Sequence, residues 1–208
     1  MMNRRAFNRI NYGMFLATAQ GENGPQGCVV NSLHQVTSSM PFKFSMTVNK
    51  SNETFRAIEH SGFFAATVLS KDAPKELVDL FGYKSGRAVN KFEGKEVQSD
   101  LNGSPYLTEG AIARFSFKVV DKLDLGTYML YIADAVDAEV LADGAALTVD
   151  DFKNAGSTAP ATATVIRTLD KNFGWKCSVC GYIAEMEELP QGYQCPICRA
   201  NRDKFVKL

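Results

Sequence analysis

Apolar and polar residues alternate along much of residues 1–150, and a period of two is the signature of strands with one buried face. In Arg114-Phe115-Ser116-Phe117-Lys118-Val119 the two aromatics and the valine would share one side. Six runs rich in Val, Ile, Phe, Tyr and Thr read as strands: Met14–Ala19, Gln26–Val36, Phe42–Val48, Gly62–Leu69, Ile112–Val120 and Tyr128–Val140. Two stretches break the alternation and read as short helices. Glu53–His60 follows the cap candidates Ser51 and Asn52, and Pro74–Phe81 opens on a proline and stops at Gly82. Many strands with few helices predict a mainly-β fold, an antiparallel barrel.

The pattern then changes. From Asn154 to Thr164 the residues are small or polar and show no period, as in a linker. The predicted organisation is therefore a domain over 1–153, a linker over 154–164 and a small module over 165–208. So short a module cannot be held together by apolar burial alone and requires a metal.

Composition narrows the class without naming it. Of 208 residues, 45% are hydrophobic and 22% charged, as in an ordinary globular protein. Lys plus Arg and Asp plus Glu number 23 each, which gives no electrostatic reason to expect nucleic acid or an anionic membrane as partner. Arg4 and Arg5 precede an apolar stretch, Tyr12–Ala19, that is short for a signal sequence and reads equally well as a buried strand. A cytoplasmic location is expected. His34 is expected to pack along a strand and His60 to close a helix; Cys28 reads as a small buried residue.

Four of the five cysteines fall in the tail, as Cys177-x-x-Cys180 and Cys195-x-x-Cys198. Two such turns facing each other complete a tetrahedron of sulfurs around one ion, with Gly181 easing the first turn and Pro196 stiffening the second. Four thiolates suit iron and zinc alike. The flanking sequence Trp175-Lys176-Cys177-Ser178-Val179-Cys180-Gly181-Tyr182-Ile183, then Leu189-Pro190-Gln191-Gly192-Tyr193-Gln194-Cys195-Pro196-Ile197-Cys198, and Phe205, resembles the rubredoxin family. That resemblance implies one iron held by the four cysteines, in a shortened form like the module that ends rubrerythrins. A structural zinc ribbon has overlapping spacing, although Glu185, Glu187 and Glu188 occupy the loop where a binding ribbon usually carries basic residues.

Four separated stretches of the first domain resemble the flavin reductase-like family of FMN-binding split barrels. They are Gly27-Cys28-Val29-Val30-Asn31-Ser32, Gln35-Val36-Thr37-Ser38, Val48-Asn49-Lys50-Ser51-Asn52-Glu53-Thr54, and Phe81-Gly82-Tyr83-Lys84-Ser85-Gly86-Arg87-Ala88-Val89-Asn90-Lys91-Phe92. The resemblance implies a split barrel, bound FMN, and a homodimer with FMN near the subunit interface. The FMN candidates are Asn31, Ser32, Gln35, Val36, Thr37, Asn49, Lys50, Ser51, Thr54, Ser85, Gly86, Arg87, Lys91 and Phe92. Some make chemical sense unaided. Asn49-Lys50-Ser51-Asn52 leads into a helix whose free N–H groups suit a phosphate, and Lys50 adds positive charge. Lys91 and Arg87 could balance the charge of reduced flavin; as ordinary solvated cations they would need no explanation. Ser51 or Asn52 could instead simply cap the helix.

A barrel followed by an iron module is similar to the high-molecular-weight rubredoxins of anaerobes. This implies electrons running from NAD(P)H or a reduced carrier to FMN, then to iron, then to a flavodiiron-type acceptor that reduces dioxygen or nitric oxide. At Gly126-Thr127-Tyr128 the chain departs from the family pattern, with tyrosine where many members carry histidine near the approach of the reductant. No Gly-x-Gly-x-x-Gly motif is present. Two other readings stay open: a plain flavin reductase with a structural zinc ribbon, and a non-enzymatic redox sensor or docking module.

Overall fold

A computed structural model describes residues 9–155, 174–184 and 188–207. Arg4, Arg5, Glu185, Glu187 and nearly all of the expected linker lie outside the described residues.

The first domain is one antiparallel sheet rolled on itself. Its strands are β1 (Phe15–Gly21), β2 (Gly24–Val30), β3 (His34–Gln35), β4 (Lys43–Asn49), β5 (Phe63–Leu69), β8 (Ala111–Asp124) and β9 (Tyr128–Val140). A small hairpin of β6 (Val97–Ser99) and β7 (Pro105–Leu107) forms a separate sheet, tied to β1 by the Thr18 hydroxyl donating to the Pro105 carbonyl. The order β2-β1-β5-β8-β9-β4-β3 puts β2 and β3 at opposite edges, yet only Asn31, Ser32 and Leu33 separate them in sequence. Laid flat, six inter-strand steps of about 4.8 Å would hold those edges about 29 Å apart. Four Cα steps span at most about 14 Å, so the sheet must curl until its edges meet. Ser32 ties that seam, its Oγ donating to the Thr47 carbonyl (3.0 Å) and accepting from the Thr47 N–H (3.1 Å). Register shifts at Ser116/Phe117 and Val119/Asp121 between β8 and β9 supply curvature. The mainly-β barrel expectation is borne out.

One detail corrects the sequence reading. The run Gln26–Val36 is not one strand, because the chain crosses the seam within it. His34 does lie along a strand, as expected, but on the exposed edge strand β3, its Nδ1 3.0 Å from the Ser32 carbonyl.

Helix α1 (Glu53–Ser61) buries Thr54, Ala57 and Ile58 against the barrel and ends at Gly62, whose left-handed φ of 71° lets its N–H reach the Ile58 carbonyl. Helix α2 (Lys75–Tyr83) follows Pro74 and buries Leu77, Val78 and Phe81. A third helix, α3 (Val149–Asn154), was not expected; Thr148 and Asp151 cap it reciprocally. Two apolar clusters result. One fills the barrel around Phe64, Phe117 and Tyr131, and the other lies between the sheet, α2 and α3 around Met14, Leu77, Phe81 and Phe152.

The tail forms a three-stranded sheet, β11 (Ile183–Ala184), β10 (Trp175–Cys177) and β12 (Phe205–Lys207), all antiparallel.

Candidate functional site

The two Cys-x-x-Cys turns have matched geometry. In the first, the Gly181 N–H donates to the Cys177 carbonyl and the Cys177 N–H to the Tyr182 carbonyl, at 2.9 and 2.7 Å. In the second, the Arg199 N–H donates to the Cys195 carbonyl and the Cys195 N–H to the Ala200 carbonyl, both at 2.9 Å. These paired turns aim four sulfurs at one point, all within 4.8 Å of one another. Cys180 and Cys195 sulfurs are 3.4 Å apart and those of Cys177 and Cys198 3.6 Å. A tetrahedron with metal–sulfur bonds of about 2.3 Å has edges of about 3.8 Å, so the cage fits a single tetrahedral ion. The Cys180 hydrogen bond favours charge on the Cys195 sulfur and lowers its pKa, while burial opposes it. Tyr193 and Phe205 meet edge to face at 5.4 Å beside the cage, and Trp175 and Tyr182 pack on the same cluster. This apolar cover buries Cys177, Cys180 and Cys195 and leaves Cys198 partly exposed.

The barrel's pocket is built from three segments. Gly27 and Cys28 of β2 form one wall, Asn52, Glu53 and Thr54 at the start of α1 a second, and Lys84, Ser85, Gly86 and Lys91 a third. An open groove of about 290 Å³ continues from it past Gln26, Gly86, Arg87 and Asn90. At Gly86 the turn comes close to β2 and α1: an added Cβ would meet the tip of the flexible Gln26 side chain and, at 3.4 Å, the Glu53 Cβ.

Asn52 stands at the N-cap of α1 but makes no side-chain cap hydrogen bond, so the expectation that Ser51 or Asn52 caps the helix is corrected. Instead, Asn49 Oδ1 accepts from the backbone N–H and the hydroxyl of Ser51, at 2.9 and 2.8 Å. The first turn of α1 therefore opens on the pocket without a side chain closing it. The carboxylate of Glu53 at that turn is met by Arg87 Nε at 2.5 Å and Arg56 at 3.0 Å, which cancels its repulsion toward an anion.

Lys91 is the unusual group. It is 5% exposed, and its ammonium donates to the carbonyls of Gly27 (2.9 Å) and Phe81 (3.2 Å). Among the described residues no carboxylate pairs with it. Burial pushes its pKa down to about 8. Neighbouring Cys28 is driven the other way: burial raises its thiol, with opposing pulls from Thr54, Lys91 and Asn52, so the pair is ammonium and neutral thiol near pH 7. The expected burial of Cys28 is observed.

The structure gathers Thr54, Ser85, Gly86 and Lys91 around one pocket and Arg87 on the adjoining groove. Asn49 and Ser51 lie just before α1, and Asn31 is buried at the seam. Lys50 is engaged by Asp124. Phe92 turns into the core edge-on to Phe81, 5.2 Å away. Ser32 is committed to the seam, while Gln35, Val36 and Thr37 lie on the exposed side of the barrel and line neither cavity. Gln26 and Lys84 were missed; neither carries a spacing or pattern that singles it out.

A profile described as the flavin reductase like domain matches residues 7–155, and the rubrerythrin, rubredoxin-like domain matches residues 175–206. The chain is 37% identical to the ferric-chelate reductase (NAD(P)H) of Archaeoglobus fulgidus, over 79% of this chain and 97% of that one. It is 30% identical to the high molecular weight rubredoxin of Moorella thermoacetica over the whole of both chains. Flavoredoxin from Methanosarcina acetivorans shares the barrel fold, with a TM-score of 0.59, 20% identity, and coverage of 67% of this chain and 74% of that one. These matches bear out the cofactor expectations: FMN for the barrel, and one iron for the four-thiolate cage.

Proposed function

Since the chain belongs to the flavin reductase-like family and ends in a rubredoxin-like domain, we propose a route for its electrons: NAD(P)H or a reduced carrier, FMN, one thiolate-bound iron, then a partner protein. The coarse activity, that of an electron-transfer flavoprotein and flavin-dependent oxidoreductase, follows from the family. The observation that carries the flavin end is Lys91, a buried cation with no carboxylate beside it at a pocket opened by a helix N-terminus. A buried ammonium held by carbonyls alone, with no counter-charge, is costly, and an anionic ligand relieves that cost. FMN supplies an anionic phosphate and a ring that accepts hydride and releases electrons singly.

In this reading the start of α1 receives the phosphate, Lys91 balances charge on the ring, and Arg87 keeps Glu53 from opposing either. Cys177, Cys180, Cys195 and Cys198 hold the iron. Both cofactors on one chain keep the local concentration of acceptor high. The terminal acceptor is a flavodiiron-type protein that reduces dioxygen or nitric oxide, and the setting is the cytoplasm. The molecule works as a two-fold symmetric homodimer with FMN near the subunit interface. Val36, Met40 and Phe42, exposed beside Gln35 and Thr37, support that assembly. Those FMN candidates then meet ligand only across the interface.

The test removes residues 165–208. Flavin reduction should persist while transfer to the acceptor is lost. An acceptor still fed at the full rate would reduce the module to a structural appendage.

A further inference from the structure

The cage and the pocket touch. Ile197, which lies between the ligands Cys195 and Cys198, lines the same pocket as Cys28, Thr54 and Lys91. In addition, Asn49 Nδ2 donates to the backbone carbonyl of Cys180, a third ligand, at 3.2 Å. Asn49 is fixed for this role. Its Oδ1 is occupied by Ser51, which points the NH₂ end at the module. Asn49 and Ile197 are both buried, at 7% and 6% exposure. The Asn49 amide finds its acceptor where the two domains meet, and Ile197, part of the module's own core, also lines the barrel's pocket there.

The contact is also specific in what it presents. Among the described residues it brings to the barrel one ligand's backbone and the residue between two others. The bonded path from the segment leading into α1 to the cage is then short: the Asn49 amide, the Cys180 carbonyl, and the Cys180 sulfur. Resting on the electron route proposed above, we infer that the iron module docks in cis on the mouth of the pocket. Ile197 is the plug and the Cys180 carbonyl the latch. Docking fills that mouth with protein, so a docked module and an arriving reductant exclude one another. The module stands away while the flavin is being reduced and docks to receive an electron. Asn49 and Ile197 are positioning residues in this scheme.

The test uses hydrogen exchange on the full holoprotein. Ile197→Asp should speed exchange in segments 26–28 and 84–91 at least threefold while the iron spectrum is unchanged. It should also slow bleaching of the iron band after flavin reduction about tenfold or more, with reduction by NADH as fast or faster. Unchanged exchange with an intact iron spectrum would overturn the docking. If Ile197→Asp loses its iron, Asn49→Asp decides. It lies on the barrel, leaves the cage alone and sets a carboxylate against the Cys180 carbonyl. Faster exchange in segments 26–28 and 84–91 supports the docking, and unchanged exchange there overturns it. Wild-type iron that stays unbleached beside reduced flavin would instead defeat the electron route, which the exchange measurement does not address.

Discussion

Inside the barrel the fully enclosed large side chains are Phe64, Phe117, Met46, Ile58 and Tyr131, and none of them lines the pocket at the start of α1. Inside the module the buried cluster is Cys177, Cys180, Ala184, Leu189, Cys195, Ile197 and Phe205, so three of seven are the metal's own ligands. The barrel's cofactor is an addition to a core that already exists. The module's ion is a large part of its core. The same chain therefore contains one domain whose fold precedes its cofactor and one whose fold depends on it.

The largest effect should come from separating these two kinds of dependence. Cys195→Ser is expected to lose iron and unfold the tail, because ligation of a structural ion contributes on the order of 10 kcal/mol to so small a module. The barrel should keep its FMN and its melting transition. Iron content per chain and calorimetry check this, and full iron with an intact spectrum would overturn the ligand assignment. The converse change is Phe117→Ala, at the centre of the barrel against Phe64 at 4.8 Å. It should cost about 3–5 kcal/mol. In urea the mutant should release FMN well below the concentration at which the red iron band fades. Loss of both signals together would mean that the two domains unfold as one unit.

How much of this was legible in the sequence follows from how local each cause is. Tyr128–Val140 was read to the residue as β9, and β4, β5 and α1 to within a residue or so, since each carries its own alternation or helical period. The cage was legible because each knuckle is made within a few residues. The break at Asn31–Leu33 was not, because it depends on where the far edge of the sheet arrives. Helix α3 and the β6–β7 hairpin were missed as too short to show a period, although Thr148-x-x-Asp151 was a readable capping signal. The pocket was half legible. Gln26, Cys28, Ser85 and Lys91 meet only through packing, and Ile197 reaches it from another domain.

A smaller effect tests the barrel's pocket without disturbing its core. In the folded protein the Lys91 amine sits near 8, below its ordinary 10.5. The fold thus carries a burial cost while the amine is charged. That cost shrinks as pH rises from about 8 toward 10.5, so FMN-free protein should gain stability over that window. FMN binding should run in the opposite direction. Affinity is full where the amine is already protonated, below about pH 8, and falls as pH climbs past it, on the order of tenfold by pH 9.5. Lys91→Met should weaken binding at pH 7 and flatten this profile. Fluorescence titration of FMN from pH 6.5 to 9.5 checks both, and an unflattened slope in the mutant would assign the titration to another group.

The smallest effect lies in the module, where two equivalent backbone positions are filled by different residues. Gly181 and Arg199 each follow the second cysteine of a knuckle, each donates its N–H to the first cysteine's carbonyl, and each is left-handed, with φ of 76° and 57°. Glycine adopts that conformation without a Cβ clash, whereas other L-residues are disfavoured there by about 1–2 kcal/mol. The Arg199 side chain is exposed, so little is lost by removing it. Arg199→Gly relieves the strain but also frees the unfolded chain, which takes back about 0.5–1 kcal/mol. A net gain of about 0.5–1 kcal/mol remains, or roughly two- to fivefold slower iron release to a chelator if the gain falls on the closed cage. Gly181→Ala should move the other way through conformation alone, since nothing lies within 4 Å of the added Cβ. If instead Arg199→Gly hastens iron loss, the arginine contributes a contact that outweighs its strain, and the two knuckles are not equivalent after all.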